Sequence, residues 1–236
     1  MVLTYAEINY DIVYDEKILN GKLADYDWLH LHHEDFTGQH GKIWRAYQHA
    51  PWYHQEVKIN NELAKNLGFM KVSEMKSFVA REIENYVQRG GFLFAMCAAT
   101  DTYDISLAAT GIDICEQMFD GDPADKQAQE KLDFTRTFAF KNFLLEKSPY
   151  EYEFSDIDAT TTRKVIREND YFTLFDFSAK GDPIPTMLCQ NHNNLIKGFM
   201  VQTTSFRKEI LKPNVLVLGE NKPAREARYI HGEKGK

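Results

Sequence analysis

Apolar positions recur at helical spacing in two stretches of the chain. Between Glu56 and Gly68, Ile59, Leu63 and Leu67 fall at i, i+4 and i+8, and Gly68 supplies a stop, which predicts a helix. Ser73 to Arg89 predicts a second, with Ser73 as N-cap, Met75, Phe78, Val79, Ile83, Tyr86 and Val87 on one face, and Gly90-Gly91 as its end. The period then changes. Phe92 to Met96 (FLFAM) is an unbroken apolar run of strand length, which suits a central parallel strand covered on both faces. Upstream, Asp25 to His33 reads as a short buried strand running into the polar pair Glu34-Asp35. Downstream, Tyr103 to Thr110 reads as a helix that uses Thr100 or Asp101 as N-cap. Strand, helices, strand, turn and helix in this order are the α/β signature.

The second half changes character. Asp133–Phe143, Tyr150–Phe154, Tyr171–Phe177 and Thr186–Gln190 all read as strands, with turn chemistry at Lys180-Gly181-Asp182-Pro183. Val215–Leu218 (VLVL) predicts another buried strand, and Ala227–His231 one more. No linker or repeat divides the chain, so residues 1–236 are expected to form one domain with a β-rich excursion. The polar start and the close at Gly232–Lys236 lead us to expect a domain cut at both ends.

Composition narrows the partners. The 28 Lys and Arg against 35 Asp and Glu leave a net charge of −7, which argues against a nucleic-acid partner. No apolar run approaches the ~20 residues of a membrane span, and Met1–Tyr14, acidic and without a long apolar core, does not read as a signal peptide. Three cysteines (Cys97, Cys115 and Cys189) with no CxxC exclude a disulfide framework and a Cys-rich zinc site. The chain contains no GxGxxG, GxxxxGK[ST], HExxH or GxSxG, so no cofactor is expected, and the expected partner is a small-molecule substrate.

The strongest chemical signal is Gly90 to Ala99. A strand turning sharply at Cys97 into a helix is the order a nucleophile elbow needs, with small neighbours two residues to either side, here Ala95 and Ala99. A following helix N-terminus favours the thiolate. A buried structural cysteine at a strand end is the plain alternative. The second signal is His30-Leu31-His32-His33-Glu34-Asp35. In a parallel sheet, residues just past the C-terminal strand ends line the ligand crevice, which would put His33, Glu34 and Asp35 on the edge that holds Cys97. His30 and His32 lie on one strand face and His33 on the other, so the three cannot converge on one metal without a bend. His192 in a polar loop, Glu220 after the VLVL strand, and Asp101, more naturally a helix cap, complete the candidates.

The runs YDWLHLHHEDFTGQHGK (Tyr26–Lys42), GGFLFAMCAATDTYDI (Gly90–Ile105), FDGDPAD (Phe119–Asp125), YEFSDID (Tyr152–Asp158), YFTLFDFSAKGDPIPTML (Tyr171–Leu188) and NVLVLGENKPAREARYIHGEKGK (Asn214–Lys236) resemble a bacterial family labelled asparagine synthetase B-like. It is similar to the class I glutamine-amidotransferase-like superfamily, near its trehalose-utilisation (ThuA-like) branch. The resemblance implies a flavodoxin-like, mostly parallel sheet with flanking helices and a cysteine at the elbow. It also implies relatives with an extra N-terminal part that carries an export signal. It does not imply ATP-dependent asparagine synthesis, because the chain begins Met1-Val2 and lacks an SGG-type ATP site.

On this reading Cys97 attacks an amide or ester carbonyl, His33 or a His beyond the chain is the base, and Glu34 joins the catalytic set. Asp35, Ala98, Asp101, His192 and Glu220 are assigned to substrate binding. The rival is a non-catalytic module that binds a small molecule, sugar or metal. The His-Glu pair that the resemblance would supply falls beyond Lys236, so the chain is expected neither to hydrolyse glutamine nor to synthesise asparagine.

Overall fold

The computed structural model describes residues 4, 7–159 and 205–217, together with the backbone of four strand segments, 171–174, 195–197, 219–220 and 229–230. The chain is mixed α/β. Helix α1 (Asp15–Leu19) and a 3-10 turn (Lys22–Asp25) precede strand β1 (Trp28–His32). Short α2 (Trp44–Tyr47) and long α3 (Pro51–Asn66) and α4 (Val72–Gln88) lead to β2 (Phe92–Met96), which pairs in parallel with β1 from Trp28↔Phe92 to His32↔Met96. Then follow α5 (Ala99–Ala108) and the short α6 (Gln117–Asp120) and α7 (Ala128–Lys131). Strands β3 (Tyr171–Leu174), β4 (Leu195–Lys197), β5 (Gly219–Glu220) and β6 (Tyr229–Ile230) form a separate antiparallel sheet in the order β4-β3-β5-β6. Among the described residues no helix is long and apolar enough to cross a membrane.

The glycine stops act as the sequence predicts. After α3, Gly68 (φ 88°) donates to Lys65 O and Phe69 to Ala64 O; after α4, Gly90 (φ 102°) donates to Val87 O and Gly91 to Tyr86 O. Both are Schellman closures, which need a left-handed residue at that place. The starts differ from expectation. Helix α3 begins five residues early because Pro51 sits at its first position, where a missing N–H costs nothing. Lys71, not Ser73, caps α4, and Ala98, not Thr100 or Asp101, precedes α5.

Two of the expected strands are absent. Asp133–Phe143 is irregular apart from a single bridge, Phe140↔Leu211. Its N–H groups at Phe138, Ala139 and Phe140 all donate to the Asp104 carboxylate instead of to a strand partner. Tyr150–Phe154 is irregular as well: its Glu153 carbonyl accepts from Lys42 Nζ at 2.5 Å, while Phe154 O, accepting from Glu146 N at 3.0 Å beside the Leu145↔Ser155 bridge, is paired as a strand would be. Of Val215–Leu218, residues 215–217 are not strand, and the strand falls at β5. Thr186–Gln190 and residues 175–177 lie outside the described residues.

Helix α5 lies between two cores and is buried on every side. Its Ile105 and Ala108 pack with Phe140, Phe143, Phe154, Ile157 and Phe206, while Ala99, Tyr103 and Leu107 pack with Leu31, Val79 and Ile83. The expectation that β2 is covered on both faces fails. Leu93 and Ala95 face the second core, but Phe92 is 58% exposed and Phe94 42%, beside Trp28 at 53%.

One glycine is fixed by space as well as by backbone. Gly38 has φ 81°, and a Cβ there would stand 2.5 Å from Ser73 Cα and 2.6 Å from Ser73 N. The obstacle is the backbone of α4, which cannot swing aside. Gly38→Ala is therefore expected to cost about 2 kcal/mol in urea unfolding, the sum of left-handed strain and overpacking.

Candidate functional site: a cysteine and a histidine at paired strand ends

The parallel register sets His32 opposite Met96, so His33 and Cys97 leave their strands at the same level. His33 N–H still reaches Met96 O at 3.4 Å. Both residues then turn left-handed, each with φ 57°. For a non-glycine residue that conformation costs ~1–2 kcal/mol, and strain of this kind gathers at functional sites. The twin turns bring His33 Nδ1 to 2.8 Å from Cys97 Sγ.

The turns are tied together behind that contact. Thr100 N–H donates to Cys97 O at 3.0 Å, and the Thr100 hydroxyl donates to the same carbonyl. Thr102 Oγ1 lies 2.6 Å from Ala98 O and 2.9 Å from Glu34 O, sharing one hydroxyl proton between the two loops. Ala98 and Ala99 are buried, and their small side chains let α5 start directly behind the sulfur. At the start of α5 the Thr100 N–H is already held by Cys97 O, and Ala98, the residue directly after the cysteine, is the N-cap of the helix.

The other predicted residues divide. Glu34 does not orient His33: its carboxylate pairs with Lys76, which also holds Asp15 at 2.7 Å. Burial alone would lower the Lys76 amine, but the Glu34 and Asp15 carboxylates reverse the sign and raise it above the usual lysine value. Asp35 organises its own loop. Its Oδ1 accepts from Thr37 N and Oγ1, at 2.7 and 2.6 Å, and its Oδ2 from Gly41 N at 2.8 Å. Asp101 is fully buried in the first turn of α5 and accepts from Thr102 N at 3.0 Å. Glu220 lies in β5, paired with Thr173 and Tyr229. His192 lies outside the described residues.

Tyr152 was not anticipated, because its segment reads as an ordinary strand. Its phenol is raised above the usual tyrosine value by burial first and then by the charges of Cys97, Asp158, Asp101 and Glu153. With 41% of its surface exposed it is open to an incoming molecule.

Two further polar centres lie apart from this pair. Asp113, Cys115 and Asp120 hold ligand atoms within 4.8 Å of one another, but a cation of the chain itself already sits there. Lys71 Nζ is 2.5 Å from Asp113, 3.2 Å from Asp120 and 2.5 Å from Asp122. Burial and then the nearby carboxylates push the Cys115 thiol well up, so it stays protonated and donates to Thr37 O at 3.1 Å. Beside it opens a cavity of about 350 Å³ lined by Phe36, Thr37, Ser73, Ser77, Ser106 and Ile114 among others, and neither Cys97 nor His33 lines it.

The second centre is Lys42, whose side chain is fully buried beneath the Glu146 and Glu153 carbonyls. Burial, partly offset by neighbouring carboxylates, brings its amine down to about 8. Between about 8 and 10.5 the unfolded lysine therefore holds a proton that the folded one has released. Stability contributed by this group should rise with pH across that window, by up to about 3 kcal/mol. The check is the difference in urea stability between wild type and Lys42→Met from pH 7.5 to 10. A flat difference would refute the depressed amine.

Searches against protein-family models, curated proteins and solved structures find no match to this chain.

Proposed function

We propose that this chain is a cysteine-dependent acyl-transfer enzyme, an amide or ester hydrolase or amidotransferase of the class I glutamine-amidotransferase-like (ThuA-like) kind, with a flavodoxin-like fold. The observation that carries the reading is the 2.8 Å contact between His33 Nδ1 and Cys97 Sγ, made by two left-handed turns at neighbouring parallel strand ends. A packed structural cysteine has no need of a histidine there, nor of strain at both residues.

The chemistry follows from that geometry. His33 Nδ1 accepts the thiol proton as Sγ attacks the carbonyl carbon. The oxyanion is met by N–H groups at the start of α5, Ala98 foremost. The imidazolium then gives its proton to the leaving nitrogen or oxygen, and water hydrolyses the thioester, returning the proton to sulfur. Glu34 is committed to Lys76, so the pair works as a dyad. A dyad suits activated esters better than glutamine, whose amide leaving group demands a well-oriented proton donor.

The experiment is incubation with p-nitrophenyl acetate, followed by mass analysis. An acetyl group on Cys97 and release of nitrophenol, both lost in Cys97→Ala, are expected. No acetyl at Cys97, with unchanged release in the variant, would remove the reading. The cavity beside Thr37 and Ser73 favours a second reading, a module that binds a small molecule without turnover, and that outcome would leave it standing.

A further inference from the structure

The histidines that the dyad does not use form a separate arrangement. His30 and His32 share the outer face of β1 with Trp28, and the register sets Phe92, Phe94 and Met96 beside them on β2. The inner positions, Leu29, Leu31, Leu93 and Ala95, pack into the core. That packing fixes the face, since a one-residue slip would bury both imidazoles and expose the leucines. The His30 ring stands 6.5 Å from the His32 ring and meets the Phe94 ring edge-on at 5.0 Å. His30 and His32 are both exposed, and their side chains project from the same strand two residues apart.

We propose that His30 and His32 form a bidentate transition-metal site on this sheet face, with Met96 as a third, softer ligand, and that copper is the ion it takes best. Two imidazoles two residues apart on a strand project side by side, and rotation about their exposed χ angles carries both nitrogens onto one ion at ~2.0–2.1 Å. The aromatic neighbours Trp28 and Phe94 leave the ion an apolar surround on one side, which strengthens imidazole ligation by excluding water. Two imidazoles with a thioether are borderline-to-soft donors, which select copper over calcium, magnesium or manganese, and copper heads the affinity order for such sites. His33 is not a member: its left-handed turn takes it to Cys97. The Asp113–Cys115–Asp120 cluster, by contrast, already holds the amine of Lys71.

The test uses Cu(II) on the full chain carrying Cys97→Ser, so that the thiol neither competes for the ion nor reduces it. Electron paramagnetic resonance should show two equatorial nitrogens. His30→Ala and His32→Ala should each weaken Cu(II) binding at least tenfold, while His33→Ala leaves it unchanged. Met96→Leu should weaken Cu(I) about tenfold under anaerobic competition with a chromogenic chelator, with no change for Cu(II). Cu(II) affinity unchanged from the Cys97→Ser parent in the His30 and His32 variants overturns the proposal. A second arm needs no substitution: Ni(II) should protect His30 and His32 of the unaltered protein from carbethoxylation by diethylpyrocarbonate. Equal labelling with and without Ni(II) also overturns it.

Discussion

His33→Ala should slow acetylation of Cys97 by about 10²–10⁴-fold at neutral pH, the range for removal of a positioned general base. His33→Gly should lose as much, yet gain about 1 kcal/mol in urea unfolding, because glycine takes the left-handed turn without strain. That opposition between stability and rate distinguishes a base held under strain from a histidine that merely fills space. A packing histidine would lose stability in both variants and leave Cys97 reactivity within a few-fold of wild type. Stopped-flow acetylation and urea titration on the same three proteins decide between the two. If His33→Gly reacts as fast as wild type, the dyad is refuted, however short the contact.

The second large effect concerns folding. Asp104 is fully buried at the middle of α5, and its two oxygens accept N–H groups from Phe138, Ala139 and Phe140 at 2.7, 2.8 and 2.8 Å. Burial raises its carboxyl above the ordinary value, and the three N–H groups and Lys212 only partly oppose that. Removing the carboxylate therefore recovers some desolvation. It also leaves three donors without that acceptor, two of them fully buried, each of the buried ones costing ~1–3 kcal/mol. The second effect wins, and Asp104→Ala is expected to lose about 4 kcal/mol. Asp104→Asn should recover little, since its amide nitrogen would face donors. Amide exchange should accelerate first at residues 138–140. A loss below about 1 kcal/mol would mean that the loop finds other acceptors.

What could be read from the sequence was what is decided locally. The end of α3 at Gly68 and the end of α4 at Gly90 follow from single glycines, and β2 follows from five apolar residues. The turn at Cys97 is also local, a strand run meeting small residues and a helix. The left-handed His33 was not legible, because that conformation is normally announced by Gly or Asn. Nor was the fate of Glu34 and Asp35, placed at the right edge but claimed by Lys76 and by the loop from Thr37 to Gly41. The failure at Asp133–Phe143 has the same origin. Its aromatic spacing resembles a strand, but its donors are taken by an aspartate more than thirty residues away, and no local pattern carries that information.

The shared position of α5 bears on how the chain is made. Ala98, Ile105 and Ala108 belong to a core that closes only when Phe206 and Ile210 arrive, about a hundred residues later. At ~5–20 residues per second of synthesis, the helix behind Cys97 waits roughly five to twenty seconds on the ribosome with one flank uncovered. During that interval the nascent chain presents apolar surface to whatever surrounds it. A stalled or early-terminated product should therefore be a client for chaperones, well before it has any chemistry to perform.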